Sequence, residues 1–174
     1  MADKTISESG MTFGPFPDSC VFRIEKSSLY SSRFLSCGVK TCEFILRKNG
    51  KLLFVEAKTS CPNHDDAMSN EEKRKKYDEY IHDIAQKMRD SLNMYASMLL
   101  QSNESSELPK DMNTPNLCDI GIRFVLVVKN AKSDWLIHYP DILGKELRNE
   151  MKIWNIPSFL VITEEKAREK YLIT

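Results

Sequence analysis

The chain has 174 residues, enough for one domain with a real core, and its 25 Lys+Arg balance its 25 Asp+Glu to a net charge of zero. That balance excludes a strongly basic protein that coats nucleic acid nonspecifically, though not a local basic groove. No apolar run approaches the roughly 18 residues of a membrane span, and the start carries no charged-then-apolar signal, so a soluble, cytoplasmic protein without a membrane partner is expected.

Residues 1–19 are polar, rich in small residues and interrupted by Gly14, Pro15 and Pro17, which predicts an irregular lead-in to a single domain over 20–174. The alternation of Val21, Phe22 and Ile24 predicts a first strand over 20–27, followed by a connector over 28–38 that ends at Gly38. Two apolar segments, 39–48 and 51–60, flank Asn49-Gly50, the strongest short-range hairpin signal. Ser69 and Glu72 stand at capping-box spacing. Behind them Tyr77, Ile81, Ile84, Ala85, Met88, Leu92, Tyr95, Ala96 and Leu99 recur at helical spacing, which predicts a helix over 70–101 with a core face.

A polar loop is expected over 102–118, and then the apolar run 120–130, long enough for a strand covered on both faces. A second amphipathic helix over 140–154, a buried strand over 157–163 and a short charged terminal helix complete the chain. The order β-β-β-α-β-α-β predicts an α/β fold. In it an antiparallel three-stranded meander feeds a helical crossover to further parallel strands, with helices flanking the mixed sheet.

Five cysteines, Cys20, Cys37, Cys42, Cys61 and Cys118, form an odd set without a CxxC pair and predict free thiols. The spacing of Cys37, Cys42, Cys61 and His64 matches no standard zinc module. His64, His82 and His138 are scattered, and none is given a role.

The hairpin carries the functional question. With a two-residue turn at Asn49-Gly50, Lys48 pairs with Lys51, and counting back along both strands sets Glu43 opposite Glu56 with Lys58 on the same face. Two carboxylates about 5 Å apart repel by roughly 3 kcal/mol at an effective dielectric near 20. A shared proton, neutralisation by Lys58 or a divalent cation bound by oxygen would each relieve this. A structural Glu–Lys–Glu cluster therefore stands beside a metal site. In the metal-site reading, loss of one repelling charge in Glu56→Ala leaves the metal-free protein no less stable, whereas in the cluster reading it lowers stability.

Glu43, the Asn49-Gly50 turn and then Glu56-Ala57-Lys58 resemble the core motif of the PD-(D/E)XK nuclease superfamily, with its restriction-endonuclease-like fold. In that superfamily an acid on the second strand precedes an ExK on the third. The resemblance implies a hydrolase, an endo- or exonuclease that cuts phosphodiester bonds, of DNA before RNA, and that serves in restriction, phage defence or DNA repair. It implies Glu43, Glu56 and Lys58 as catalytic residues, and Mg2+ or Mn2+ held by Glu43, Glu56 and the backbone carbonyl of Ala57. A homodimer or a partner subunit is compatible with it, as is an inactive pseudonuclease domain that binds protein or nucleic acid.

The chain departs from the family pattern in places. Cys42 stands where a Pro would precede the acid, and no helix before the first strand offers a further acid, a place that Glu25 could take. Ser91 stands where some branches have Gln, four residues before Tyr95, although Gln86 and Lys87 lie on the same predicted helix. Lys40 is a further candidate for phosphate contact. Arg47, Lys48 and Lys51 at the hairpin tip, and Lys73, Arg74, Lys75 and Lys76 at the helix start, are phosphate-binding candidates.

Overall fold

The computed structural model describes residues 3–100, 107–113 and 120–174. Most of the expected polar loop 102–118, Cys118 included, lies outside them. Among the described residues the architecture is α/β, with a five-stranded mixed sheet, a separate two-stranded antiparallel sheet and flanking helices.

The large sheet consists of β3 (Val21–Phe22), β4 (Phe44–Lys48), β5 (Lys51–Lys58), β6 (Gly121–Val128) and β7 (Phe159–Thr163), lying side by side in chain order. β3–β4 and β4–β5 are antiparallel, whereas β5–β6 and β6–β7 are parallel. The hairpin forms as its turn residues require. Asn49 and Gly50 take positive φ of 51° and 69°, which a two-residue turn needs at both positions, and Lys48 pairs with Lys51.

The connection from β5 to β6 runs through α1 (His64–Met68) and α2 (Glu71–Leu99). The N-cap of α2 is Asn70, one residue beyond the expected Ser69; its side chain accepts from the Lys73 N–H. Tyr77, Ile81, Ile84, Ala85, Met88, Leu92 and Tyr95 are buried as the apolar stripe demands. They meet Ile45, Leu52, Phe54, Phe124 and Leu126 from one face of the sheet. The opposite face of the same strands, Phe44, Leu46, Val55, Ala57, Val125 and Val127, forms a second core. Both faces of the hairpin are thus covered.

Four expectations change. The irregular lead-in is instead a hairpin, β1 (Asp3–Glu8) with β2 (Met11–Pro17), whose inward Ile6, Phe13 and Phe16 close the second core. The first strand is only Val21–Phe22, because Ile24–Lys26 coils into a 3-10 turn. The second begins at Phe44 and not near residue 39, because side chains of α2 take the backbone N–H groups of 40 and 42 that a ladder would have used. The helix over 140–154 is two, α3 (Tyr139–Glu146) and α4 (Arg148–Ile153), which meet at the fully buried Leu147, whose φ of −104° and ψ of 21° leave helical geometry. The short terminal helix is present as α5 (Glu164–Glu169). Among the described residues no helix is long and apolar enough to cross a membrane.

Candidate metal centre

Side chains alternate along β5, so Glu56 projects from the same face as Phe54, toward α2. In register it lies beside Leu126 of β6, and its side chain is 0% exposed. Lys87, from the middle of α2, places Nζ 2.7 Å from Glu56 Oε1 and 3.8 Å from Glu43 Oε1. Lys58 approaches the same Glu56 oxygen at 3.2 Å from the other side, and its Nζ also lies 3.4 Å from Asp83 Oδ2. The second Glu56 oxygen, Oε2, is buried with no hydrogen-bond partner.

Glu43 reaches this point without the ladder. The regular pairing ends at Phe44–Val55, and the Glu43 N–H donates to Val55 O, the carbonyl of the residue already opposite Phe44. The expected direct opposition of Glu43 and Glu56 is therefore one residue short, yet both carboxylates converge on Lys87. The backbone leading into Glu43 is held by α2: Asp90 accepts from the Lys40 N–H at 3.0 Å, and the buried Ser91 hydroxyl accepts from the Cys42 N–H at 2.8 Å. Ser91 thus positions the strand that carries the first acid. Tyr95 serves elsewhere, its hydroxyl donating to Met112 O.

A wider ring of charge surrounds the pair. Arg23 bridges Glu8 and Glu25, the latter at 2.6 Å. Glu25 thus pairs chiefly with an arginine that sequence reading passed over, with Lys26 at 3.6 Å beside it. Lys40 pairs with Asp83 at 2.7 Å, which ties it to Lys58 through a shared carboxylate.

Burial, then the neighbouring Glu56 charge, raise Glu43 to about 7 despite Lys87, with Glu8 and Glu25 adding to the rise. Burial also pushes Glu56 up, against the pull of Lys87 and Lys58. Lys87, which burial alone would push down, is held up by Glu56 and Glu43. Asp83 likewise resists its own burial and sits below the usual range, because Lys40 and Lys58 bond and neutralise it. Lys87, and not the expected Lys58, thus stands between the two acids, while burial and the charge of Glu56 favour the protonated form of Glu43.

This arrangement argues against the metal-site expectation that Glu56→Ala costs nothing. Glu56 accepts from two ammonium groups, and charge-assisted bonds of this kind stabilise by roughly 1.5–3 kcal/mol. Urea unfolding of metal-free Glu56→Ala is expected to show a loss of that order, and a variant as stable as wild type would refute the pairing.

The remaining candidates make their contacts with other partners or are exposed. The Ala57 carbonyl accepts from the Ser9 hydroxyl at 2.9 Å, so the tip of the β1–β2 hairpin rests on it, with one lone pair left. Gln86 is half-buried next to Lys87 on α2, and it is Lys87 that meets the acids. At the hairpin tip, roughly 17 Å along β5 from Glu56, Arg47 donates to Asp111 O and Lys48 donates to the carbonyls of Lys170 and Tyr171. Lys51 is exposed there. Lys73, Arg74, Lys75 and Lys76 are exposed at the far end of α2, about 16 Å or more from Lys87 by helical rise and close in sequence to Glu71, Glu72, Asp78 and Glu79.

Sequence reading puts Lys87 on the helix without a role and passes over Asp83, Glu8 and Arg23. For the first two a signal existed: they stand four apart on α2, on the border of its apolar stripe, where a charged pair faces the sheet and not the solvent. No family model matches the chain, and neither a curated protein nor a solved structure matches it.

Proposed function

We propose that the chain is a metal-dependent nuclease of the PD-(D/E)XK type that hydrolyses phosphodiester bonds of DNA. The observation that carries this reading is the Glu43/Glu56 pair, in which a fully buried carboxylate keeps one oxygen without a partner. An all-oxygen donor set with an unsatisfied oxygen fits a hard cation such as Mg2+ or Mn2+. The β3–β4–β5 meander, the α2 crossover and the parallel β6 support a restriction-endonuclease-like topology.

Glu43 and Glu56 would hold the cation, with the Ala57 carbonyl as a further oxygen donor. Bound there, Mg2+ supplies Lewis acidity toward the scissile phosphate and a water of lowered pKa. Lys58, a quarter exposed at the rim of the pair, would orient the attacking water and donate to the phosphate oxygens as charge develops on them. Asp83 fixes the Lys58 ammonium, and Lys40 in turn fixes Asp83. Lys51, Lys73, Arg74 and Lys75, all exposed, would contact phosphates farther along the backbone.

The Lys87 ammonium on both acids favours a second reading, an inactive pseudonuclease domain that keeps the fold and binds protein or nucleic acid. A thermal titration with Mn2+ and Mg2+ separates the two. The nuclease reading expects the wild-type Tm to rise with metal as RT ln(1 + [L]/Kd). Glu56→Gln, which keeps the volume and removes the charge, is expected to give a flat response. A flat response in the wild type would overturn the metal site and leave the Lys87-locked cluster.

A further inference from the structure

We propose that His64, Asp65 and His138 form a second, separate site for a divalent transition metal of the zinc class. Sequence reading left the three histidines unassigned. The fold brings two of them together across 74 residues, because the segments that carry them leave the carboxyl ends of the adjacent parallel strands β5 and β6. Ligands of open α/β sheets collect at that end of the strands.

One ligand atom from each of the three residues lies within 4.8 Å of the other two. His64 Nδ1 is 3.3 Å from Asp65 Oδ1, and the two imidazole rings are 4.3 Å apart at 31°. Tetrahedral ligands at metal distances near 2.0–2.1 Å sit about 3.3 Å from one another. Drawing the set together therefore takes a shift of no more than about 1.5 Å, which rotation of the exposed His138 and Asp65 side chains can supply.

The frame behind them is fixed. The His64 ring packs edge-on against Tyr77 at 5.6 Å, and Tyr77 is itself buried on α2. Tyr139, the residue after His138, donates its hydroxyl to Pro62 O at 2.5 Å, which ties the segment before His64 to the start of α3. The two ligand-bearing segments are therefore held together independently of any metal.

Two imidazoles and one carboxylate suit Zn2+, Co2+ or Ni2+, with a fourth position left to water, and do not suit Mg2+. The site shares no residue with the Glu43/Glu56 pair. Along α2, Tyr77 stands six residues before Asp83, about 9 Å by helical rise.

The test is calorimetric titration of the full chain with Zn2+, with Co2+ absorption spectra on the same protein. The expected result is one equivalent of Zn2+ bound, and a Co2+ spectrum without a thiolate charge-transfer band. His138→Gln and Asp65→Asn each remove a direct ligand. Their affinities are expected to fall at least as far as the about 10–100-fold that loss of an outer-shell partner costs. Glu56→Gln is expected to leave the affinity unchanged, so this site and the acid pair succeed or fail separately. Absence of stoichiometric binding, wild-type affinity in His138→Gln, or a thiolate band that disappears in Cys37→Ser would each overturn the proposal. His138 and Cys37 are exposed, so both variants are expected to fold.

Discussion

Lys58→Ala is expected to slow Mg2+-dependent cleavage of plasmid DNA by about 10²–10⁴-fold while keeping the Mn2+-induced rise in Tm. The geometry separates these two effects. Lys58 Nζ lies 3.2 Å from Glu56 Oε1, but Lys87 lies closer, at 2.7 Å, so Glu56 keeps a partner when Lys58 is removed. Of the two lysines only Lys58 also touches Asp83, at 3.4 Å, on the side where Lys40 and solvent lie. In the proposed nuclease a phosphate would approach from that side, because Leu126 and α2 cover Glu56 elsewhere. Loss of the positive charge of Lys58 also leaves the acid pair more negative, which favours cation binding. The role of Lys58 would therefore lie in the reaction and not in holding the metal. Lys58→Arg is not expected to rescue cleavage, since a planar guanidinium cannot replace a compact ammonium in so tight a cluster. Wild-type cleavage rates in Lys58→Ala, or loss of the metal response together with cleavage, would refute this assignment. Parallel assays on single strands and on RNA identify the substrate.

The parts of this arrangement legible in the sequence are those set by short-range rules. Asn49-Gly50 fixes its own turn, the turn fixes register, and register puts Glu56 and Lys58 on one face. The apolar stripe of α2 and the unbroken run of β6 likewise follow from periodicity and residue type. What escaped is tertiary. The β1–β2 hairpin buries only alternate residues of a largely polar stretch, and Gly14, Pro15 and Pro17 mask its pattern; its inward Phe13 and Phe16 find their partner, Phe44, at ring distances of 5.2 and 6.0 Å. Glu43 shows the limit of counting registers, because Asp90 and Ser91, about 50 residues downstream, draw the preceding backbone off the ladder. Lys87 could be placed on the helix but not over the acids, since the rotation of α2 about its axis is set by core packing that a single sequence does not display.

Metal-free protein is expected to lose stability as pH rises from about 4.5 to about 7, by about 3 kcal/mol from Glu43 alone. Burial first, and then the charge of Glu56, raise the Glu43 carboxyl from 4.5 to about 7 in the folded chain. Between those values the folded state binds the proton more tightly than the unfolded one. The contribution is fully present below the unfolded value and is lost as pH rises through the folded one. Little of it is screened away, because the side chain is only 16% exposed. Glu56 is raised in the same sense, so its substitution would confuse the reading, whereas Glu43→Gln removes the titrating group and leaves Glu56 with both lysines. Urea unfolding at pH 5 and pH 8 is the measurement: the wild type should lose stability relative to Glu43→Gln across that interval, and parallel curves would refute the assignment. The same proton links stability to the proposed chemistry. A cation that binds Glu43 must displace it, so Mn2+ binding near pH 6 is expected to release close to one proton in wild type and fewer in Glu43→Gln. Calorimetry in buffers of different ionisation enthalpy counts that proton, and its absence would mean either that Glu43 is already ionised near pH 6 or that it stays protonated while Glu56 binds the cation without it, and each refutes the linkage.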